Sequence, residues 1–392
     1  MKNAVIVDAV RTASGKGKPG GALSAVHPVD LLADTLKALV GRNNLDPALI
    51  EDVIGGCVTQ AGDQSGNIAH NASLAAGFPV TVPGTTINRQ CGSSQQAASF
   101  AAQGVMAGAY DVVIACGVES MSRVPIGSSR LDSVTRGVRT EARYPEGLIN
   151  QGVSAELVAH RWKLDRDALD SYAAESHRRA AATAAVGGFE REIIPISTPN
   201  GEHIKDETVR VSTTAQGLSG LLPSFRSAEM EARFPDIDWS VTAGNSSPLT
   251  DGAAALLIMS EERAVALGLT PRARFHSFSV VGDDPLFMLT GPIPATHKAL
   301  DRAGLRIEDI DAYEVNEAFA SVPLAWAHEF AADPTRLNPR GGAISLGHAL
   351  GGSGARLMTT LLGHLEATGG RYGLQTMCEG GGLANATIIE RL

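Results

Sequence analysis

The chain has 392 residues, is 44% hydrophobic and only 5% aromatic, and carries a formal net charge of −9. That length supplies a large core and room for two or three domains. The acidic balance argues against a nucleic-acid partner, which would need a basic face. "AVIVDAV" then reads as a strand, with Asp8 breaking an apolar run too short for a secretory leader. "VDLLADTLKALVGR" has the spacing of an amphipathic helix ending near Gly41. "DVIGGCV" follows as a strand, "NIAHNASLAAG" as a helix and "DVVIACGV" as another strand. This alternation predicts α/β layers. No run approaches a membrane span, "AAALLIM" being among the longest, and no membrane partner is expected.

A faint repeat joins the two ends of the chain. "LDPALIEDVIGG" is echoed by "LRIEDIDAYEVNEA", an acidic turn leading into a strand after an Ala/Leu helix. "NRQCGSSQQA…VVIACGVES" is echoed by "NPRGGAISLGHALGGSGA…LQTMCEGGG", a small-residue turn, a helix and a strand ending at a cysteine. Matched halves predict duplicated α/β units around one core. The texture changes between them, with polar loops and two helical stretches, "AELVAHRW" and "RDALDSYAAESHRRAAATAAV". The expected division is 1–119 with 248–270 as one half, 120–247 as an inserted loop domain and 271–392 as the other half.

The four cysteines are Cys57, Cys91, Cys116 and Cys378. None forms a C-x-x-C pair and no histidines have zinc spacing beside them, so no metal site is expected. So few cysteines suit a reducing compartment, and the cytoplasm is the default. Cys91 in "NRQCGSSQQA" precedes a helix that is apolar on nearly every side. It reads either as a small core residue or as a thiol at a helix N-terminus, where unpaired N–H groups favour a thiolate. His348 sits in the glycine-dense "GGAISLGHALGGSGAR", which fails as a dinucleotide fingerprint because position 357 is Leu. It is a structural histidine or one to which a ligand can come close. Cys378 ends a strand ahead of Gly380-Gly381-Gly382, a turn that exposes backbone N–H groups as an oxyanion hole would. Asn316 and Glu317 stand where a strand gives way to a helix, as a cap or as site residues.

Together "NRQCGSSQQA", "VNEAFA", "GGAISLGHALGGSGAR" and "MCEGGG", in that order, resemble the thiolase family. "VIVDAVRT", "GVESMSR", "VTAGNSSPLTDGAAA" and "GPIPATHKAL" extend the resemblance from end to end. It implies a five-layered α-β-α-β-α protein of two similar halves plus a loop domain. It also implies an acyltransferase that cleaves a 3-ketoacyl-CoA with free CoA, or condenses in reverse. Cys91 would be the acylated nucleophile, His348 its base and Cys378 the second acid/base. Asn316 would hold a water that, with His348, stabilises the thioester oxygen, and the N–H groups of Cys91 and Gly380 would form a second oxyanion hole. Coenzyme A is expected as substrate with no permanently bound cofactor. Ala243, Ser247, Ala318, Phe319 and Phe225 are its expected contacts, and a homodimer or homotetramer is the expected assembly.

Three positions depart from the common pattern. Ala349 follows His348 where Pro is usual, Gln151 stands where short-chain biosynthetic members carry Met, and Glu379 replaces an apolar residue. The sequence looks most like bacterial degradative members, including steroid-catabolic ones. An acetoacetyl-CoA thiolase in the condensing direction is the alternative, and a Cys-His hydrolase the remote one. Were the Glu379 carboxylate near Cys378, it would disfavour that thiolate; strand alternation would instead face it away.

Overall fold

The β-branched runs and the Ala/Leu stretches alternate along the chain as two copies of one layered unit. In the computed structural model, which describes residues 2–131, 133 and 135–392, the first copy begins with β1 (Ala4–Thr12), α1 (Pro28–Arg42) and β2 (Asp52–Gly56). It continues through α2 (Ile68–Ala75), β3 (Gly84–Ile87), α3 (Ser93–Ala107) and β4 (Val112–Ser120). A long interruption carrying α4 (Gln151–Arg161) and α5 (Arg166–Ala185) then separates β4 from β5 (Thr250–Ser260). The second copy runs β6 (Ala273–Gly282), α6 (Pro292–Ala303), β7 (Ala312–Val315), α7 (Ser321–Phe330), α8 (Ser353–Thr368), β8 (Tyr372–Glu379) and β9 (Leu383–Arg391).

Hydrogen bonding confirms the duplication. The first sheet has the order β3-β2-β4-β5-β1 and the second β7-β8-β9-β6. In each, a parallel pairing (β2/β4, β7/β8) passes to antiparallel ones (β4/β5/β1, β8/β9/β6). An isolated parallel bridge between Tyr313 and Leu337 stands where β3 pairs with β2. The sheets meet through a short antiparallel contact of β1 with β6, Val5 to Arg274 and Ile6 to Ala273. Registers place Asp52 opposite Val113 and Ala312 opposite Gly373. Matching these two pairs makes Glu119, near the end of β4, the counterpart of Glu379 at the end of β8.

Packing produces five layers. α1 starts with Pro28 in its first turn and the His27 imidazole accepting from Val29 N. With α2 it covers one face of the first sheet through Leu31, Leu36 and Leu39. α6 and α7 cover the far face of the second sheet, around the fully buried Trp326. Between the sheets lie α3 and α8, which share a core of Ala97, Ala98, Ala101, Met358, Leu361 and Leu362 with both sheets. Small residues let these helices come close: a Cβ on Gly354 would fall 2.2 Å from Gln95 N. A helix between two sheets has no solvent side, which explains its all-round apolar sequence.

The interruption between β4 and β5 occupies the place that in the second copy is a three-glycine turn from β8 to β9. It is tied down by buried charge. The Arg11 guanidinium, fully buried, pairs with Glu192 at 2.8 Å and bidentately with Asp206 at 2.8 and 3.0 Å. Glu317, read from sequence as a cap or site residue, is a tie as well. It accepts from Tyr172 and Ser176 of α5, from Asn338 Nδ2 and from Ile344 N. α7 itself has no side-chain cap. Asp132 and Val134, within the expected 120–247 segment, lie outside the described residues. Among the described residues no helix is long and apolar enough to cross a membrane, and no cluster of His, Cys, Asp or Glu is arranged to hold a metal.

Candidate active site

Cys91 immediately precedes Gly92, the N-cap of α3. The turn that presents it is knotted by Ser93, whose hydroxyl donates to Gln90 O at 2.6 Å and accepts from Arg89 N at 2.9 Å. Gln90 takes a left-handed conformation, with φ +49°, to make the turn. The thiol is only 6% exposed. Burial pushes its pKa up to about 12, with the charge of Glu379 acting in the same direction; its own backbone N–H and the Gln151 side chain pull the other way. The helix end therefore does not yield a resting thiolate. Desolvation outweighs it, and the thiol needs a base.

A candidate base stands ready in His348. Gly347 turns the chain at φ +85°, and His348 N donates to Thr250 Oγ1 at 2.9 Å. The ring Nδ1 lies 2.7 Å from Ser353 Oγ, which donates its own proton to Ala349 O at 3.0 Å. With that hydroxyl proton committed, Ser353 Oγ accepts from Nδ1–H, leaving Nε2 as a bare lone pair. Nε2 is buried and has no protein partner. Burial, aided by Arg356, lowers the imidazole pKa to about 3, so the ring is neutral at rest. Two residues on, Leu350 lines the cavity that Cys91 lines.

Cys378 approaches from β8 and is completely buried. Burial holds its pKa well above the ordinary thiol value, and negative charge on Cys91 would raise it further. The two sulfurs are thus electrostatic neighbours. Asn316 N bonds to Thr376 O, setting the residue beside Cys378. The Asn316 side chain is 2% exposed and lies beside the Cys378 thiol, whose pKa it lowers, yet neither its Nδ2 nor its Oδ1 makes a hydrogen bond of full geometry. A buried amide left unpaired is costly, which marks the place as one for a water or substrate atom. Gly380 begins the turn after β8 and lines the cavity wall.

That cavity measures about 730 Å³ and is walled by Cys91, Gln151, Phe225, Met288, Phe319 and Gly380. Phe225 and Phe319 meet edge to face, with ring centroids 5.9 Å apart. Of the expected CoA contacts these two line the cavity. Ser247 bonds to Ala318 O through both its N and its hydroxyl. Ala243 lies exposed in the turn before Asn245. Sequence reasoning passed over Ser353 as the partner of His348. A hydroxyl five residues after a histidine, at the start of a helix, is the signal that could have found it. It also passed over Met288, which carries no motif.

These features define a class: a duplicated, five-layered α/β enzyme built around a buried cysteine. Family models for the thiolase N-terminal and C-terminal domains match residues 4–262 and 269–391, and the chain belongs to the thiolase family. It is 49% identical to the steroid 3-ketoacyl-CoA thiolase FadA6 of Mycobacterium tuberculosis, covering all of this chain and 95% of that protein. It is 44% identical to a 3-ketoacyl-CoA thiolase of Serratia proteamaculans over the whole of both chains. The crystal structure of the Bacillus anthracis acetyl-CoA acetyltransferase superposes with a TM-score of 0.89 at 39% identity, covering 100% of this chain and 99% of that one.

Proposed function

We propose that the protein is a degradative 3-ketoacyl-CoA thiolase, cleaving its substrate with free CoA to acetyl-CoA or propionyl-CoA and a shortened acyl-CoA. The observation that carries this reading is a cavity walled by Cys91, Leu350 and Gly380, with the buried Cys378 two residues before Gly380 and the buried His348, its Nε2 unpartnered, two residues before Leu350. His348 Nε2 takes the proton of Cys91, and the thiolate attacks the 3-keto carbon. The C2–C3 bond breaks, leaving an acyl thioester on Cys91 and an enolate of the departing acyl-CoA. Cys378, protonated because it is buried, gives its proton to that carbanion. In the second half-reaction the Cys378 thiolate takes the proton of incoming CoA, whose sulfur attacks the Cys91 thioester; the Cys91 thiolate leaves and recovers its proton from the His348 imidazolium.

Charge develops on oxygen in both steps. The unpaired Asn316 amide, through a water, and the His348 imidazole serve one oxyanion; the N–H groups of Cys91 and Gly380 serve the other. Coenzyme A enters as a substrate along the Phe225–Phe319 wall past Ala318, Ser247 and Ala243, with no resident cofactor. One relative is named a steroid 3-ketoacyl-CoA thiolase and another a 3-ketoacyl-CoA thiolase; the role we assign is β-oxidation of fatty acyl or steroid-derived chains. A homodimer or homotetramer in the cytoplasm completes the reading.

The test is loss of 3-ketoacyl-CoA absorbance across a panel from C4 to steroid-derived chains, with and without CoA. Turnover should require free CoA, and Cys91→Ala should abolish both the acyl-enzyme and thiolysis. Hydrolysis without CoA, or appreciable thiolysis by Cys91→Ala, would overturn the assignment.

A further inference from the structure

Glu119 and Glu379 occupy equivalent positions in the two copies, and each reaches across to the other copy's central helix. Glu119 is fully satisfied: it accepts from Val58 N, Thr59 N and Gln64 Nε2, and from Gly351 N ahead of α8, all at 2.9–3.0 Å. Four donors are what a buried carboxylate needs. Glu379 is placed symmetrically against Gly92, the N-cap of α3; a Cβ there would fall 2.0 Å from its Oε1. Yet Glu379 is wholly buried, and neither of its oxygens has a partner. Its carboxyl lies against the residue beside Cys91, and its charge also raises the Cys378 pKa.

The surroundings of Glu379 are sparse. Arg89 and Cys91 face it from the loop before α3, and Cys378 adjoins it on β8. From β9 comes the neutral Asn385, whose Nδ2 donates to Gly92 O and whose Oδ1 is unpartnered. The charge of Glu119 also reaches Cys91.

We propose that Glu379 is a positioning residue acting through Cys91: the start of α3 holds one negative charge at a time, so the thiolate forms freely only while Glu379 keeps its proton. Burial supports this, holding the Glu379 pKa up at about 8 against the pull of Arg89. The acid is then neutral at neutral pH and ionises above it, when it opposes loss of the Cys91 proton to His348. Glu379 neither gives up nor takes a proton in turnover; its charge alone sets how readily the thiolate forms. This rests on the reading of Cys91 as nucleophile, but its test does not require turnover.

The experiment follows alkylation of Cys91 by iodoacetamide against pH, read by mass spectrometry of the Cys91 peptide in the full-length protein. In the wild type the rate should rise with pH, flatten near pH 8 as Glu379 ionises, then rise again. In Glu379→Gln the flattening should vanish and the inflection move to lower pH, each pH unit of movement giving about tenfold more thiolate below it. Glu379→Leu should move it the same way. A single smooth titration in the wild type, or unchanged or upward-shifted profiles in folded neutral variants, overturns the proposal. Failure of Cys91→Ala to lose thiolysis would instead sink the nucleophile reading and leave these profiles interpretable.

Discussion

Ser353 decides which nitrogen of His348 is free. Its hydroxyl is committed to Ala349 O, so its oxygen fixes the proton on Nδ1 and leaves the lone pair on the unpartnered Nε2. Ser353→Ala should leave Nδ1–H buried without an acceptor, at about 1–3 kcal/mol of stability. By analogy with the loss of partners that orient metal-bound histidines, kcat/KM should fall roughly 10–100-fold. Steady-state thiolysis and denaturant unfolding of the same variant check both. At this scale Cys91, His348 and Cys378 stand out in the sequence only through the motifs that resemble the thiolase family; taken singly, Cys91 reads equally as a core residue and His348 as a structural one. The sequence could not show the ring tautomer, or the rise in the Cys91 pKa. Both depend on burial and on hydroxyl directions that no spacing encodes.

The turn at His348–Ala349 shows how an element tolerates a changed residue. Ala349 has φ −73°, within the range proline enforces. His348 bridges Leu249 in extended conformation, which a residue before proline prefers. Ala349→Pro should therefore stabilise the fold by about 0.4–1 kcal/mol through the unfolded state, with thiolysis unchanged, as thermal unfolding and an activity assay would show. Without a proline the turn still has a φ that proline could adopt. Strands, helices and the repeat were likewise readable from periodicity, since both copies keep the same alternation. Glu317 was not, because its partners Tyr172 and Ser176 come from far along the chain.

Across the whole molecule, the long segment between β4 and β5 is anchored by Arg11 reaching Glu192 and Asp206. Arg11→Met would leave two carboxylates buried without a cation, costing about 3–5 kcal/mol in urea unfolding. Arg11 also lowers the Asp206 pKa against the opposing effect of burial. The sign follows: the pair's contribution is complete above the ordinary aspartate value near 3.9, and disappears as pH falls through the depressed one. The stability difference between wild type and Arg11→Met should accordingly shrink at strongly acidic pH. Composition exposed this segment as different in texture, but not what holds it, since buried ion pairs join residues far apart in sequence. The central layer has a further consequence for how the chain folds. α3 and α8 fill one shared core, and each sheet's terminal glutamate reaches the other copy's helix. Neither copy possesses a complete interior of its own, so a chain severed between Ala266 and Ala273 would yield two fragments that each expose half a core. The two copies repeat one pattern, yet their shared interior should make them unfold in a single cooperative transition.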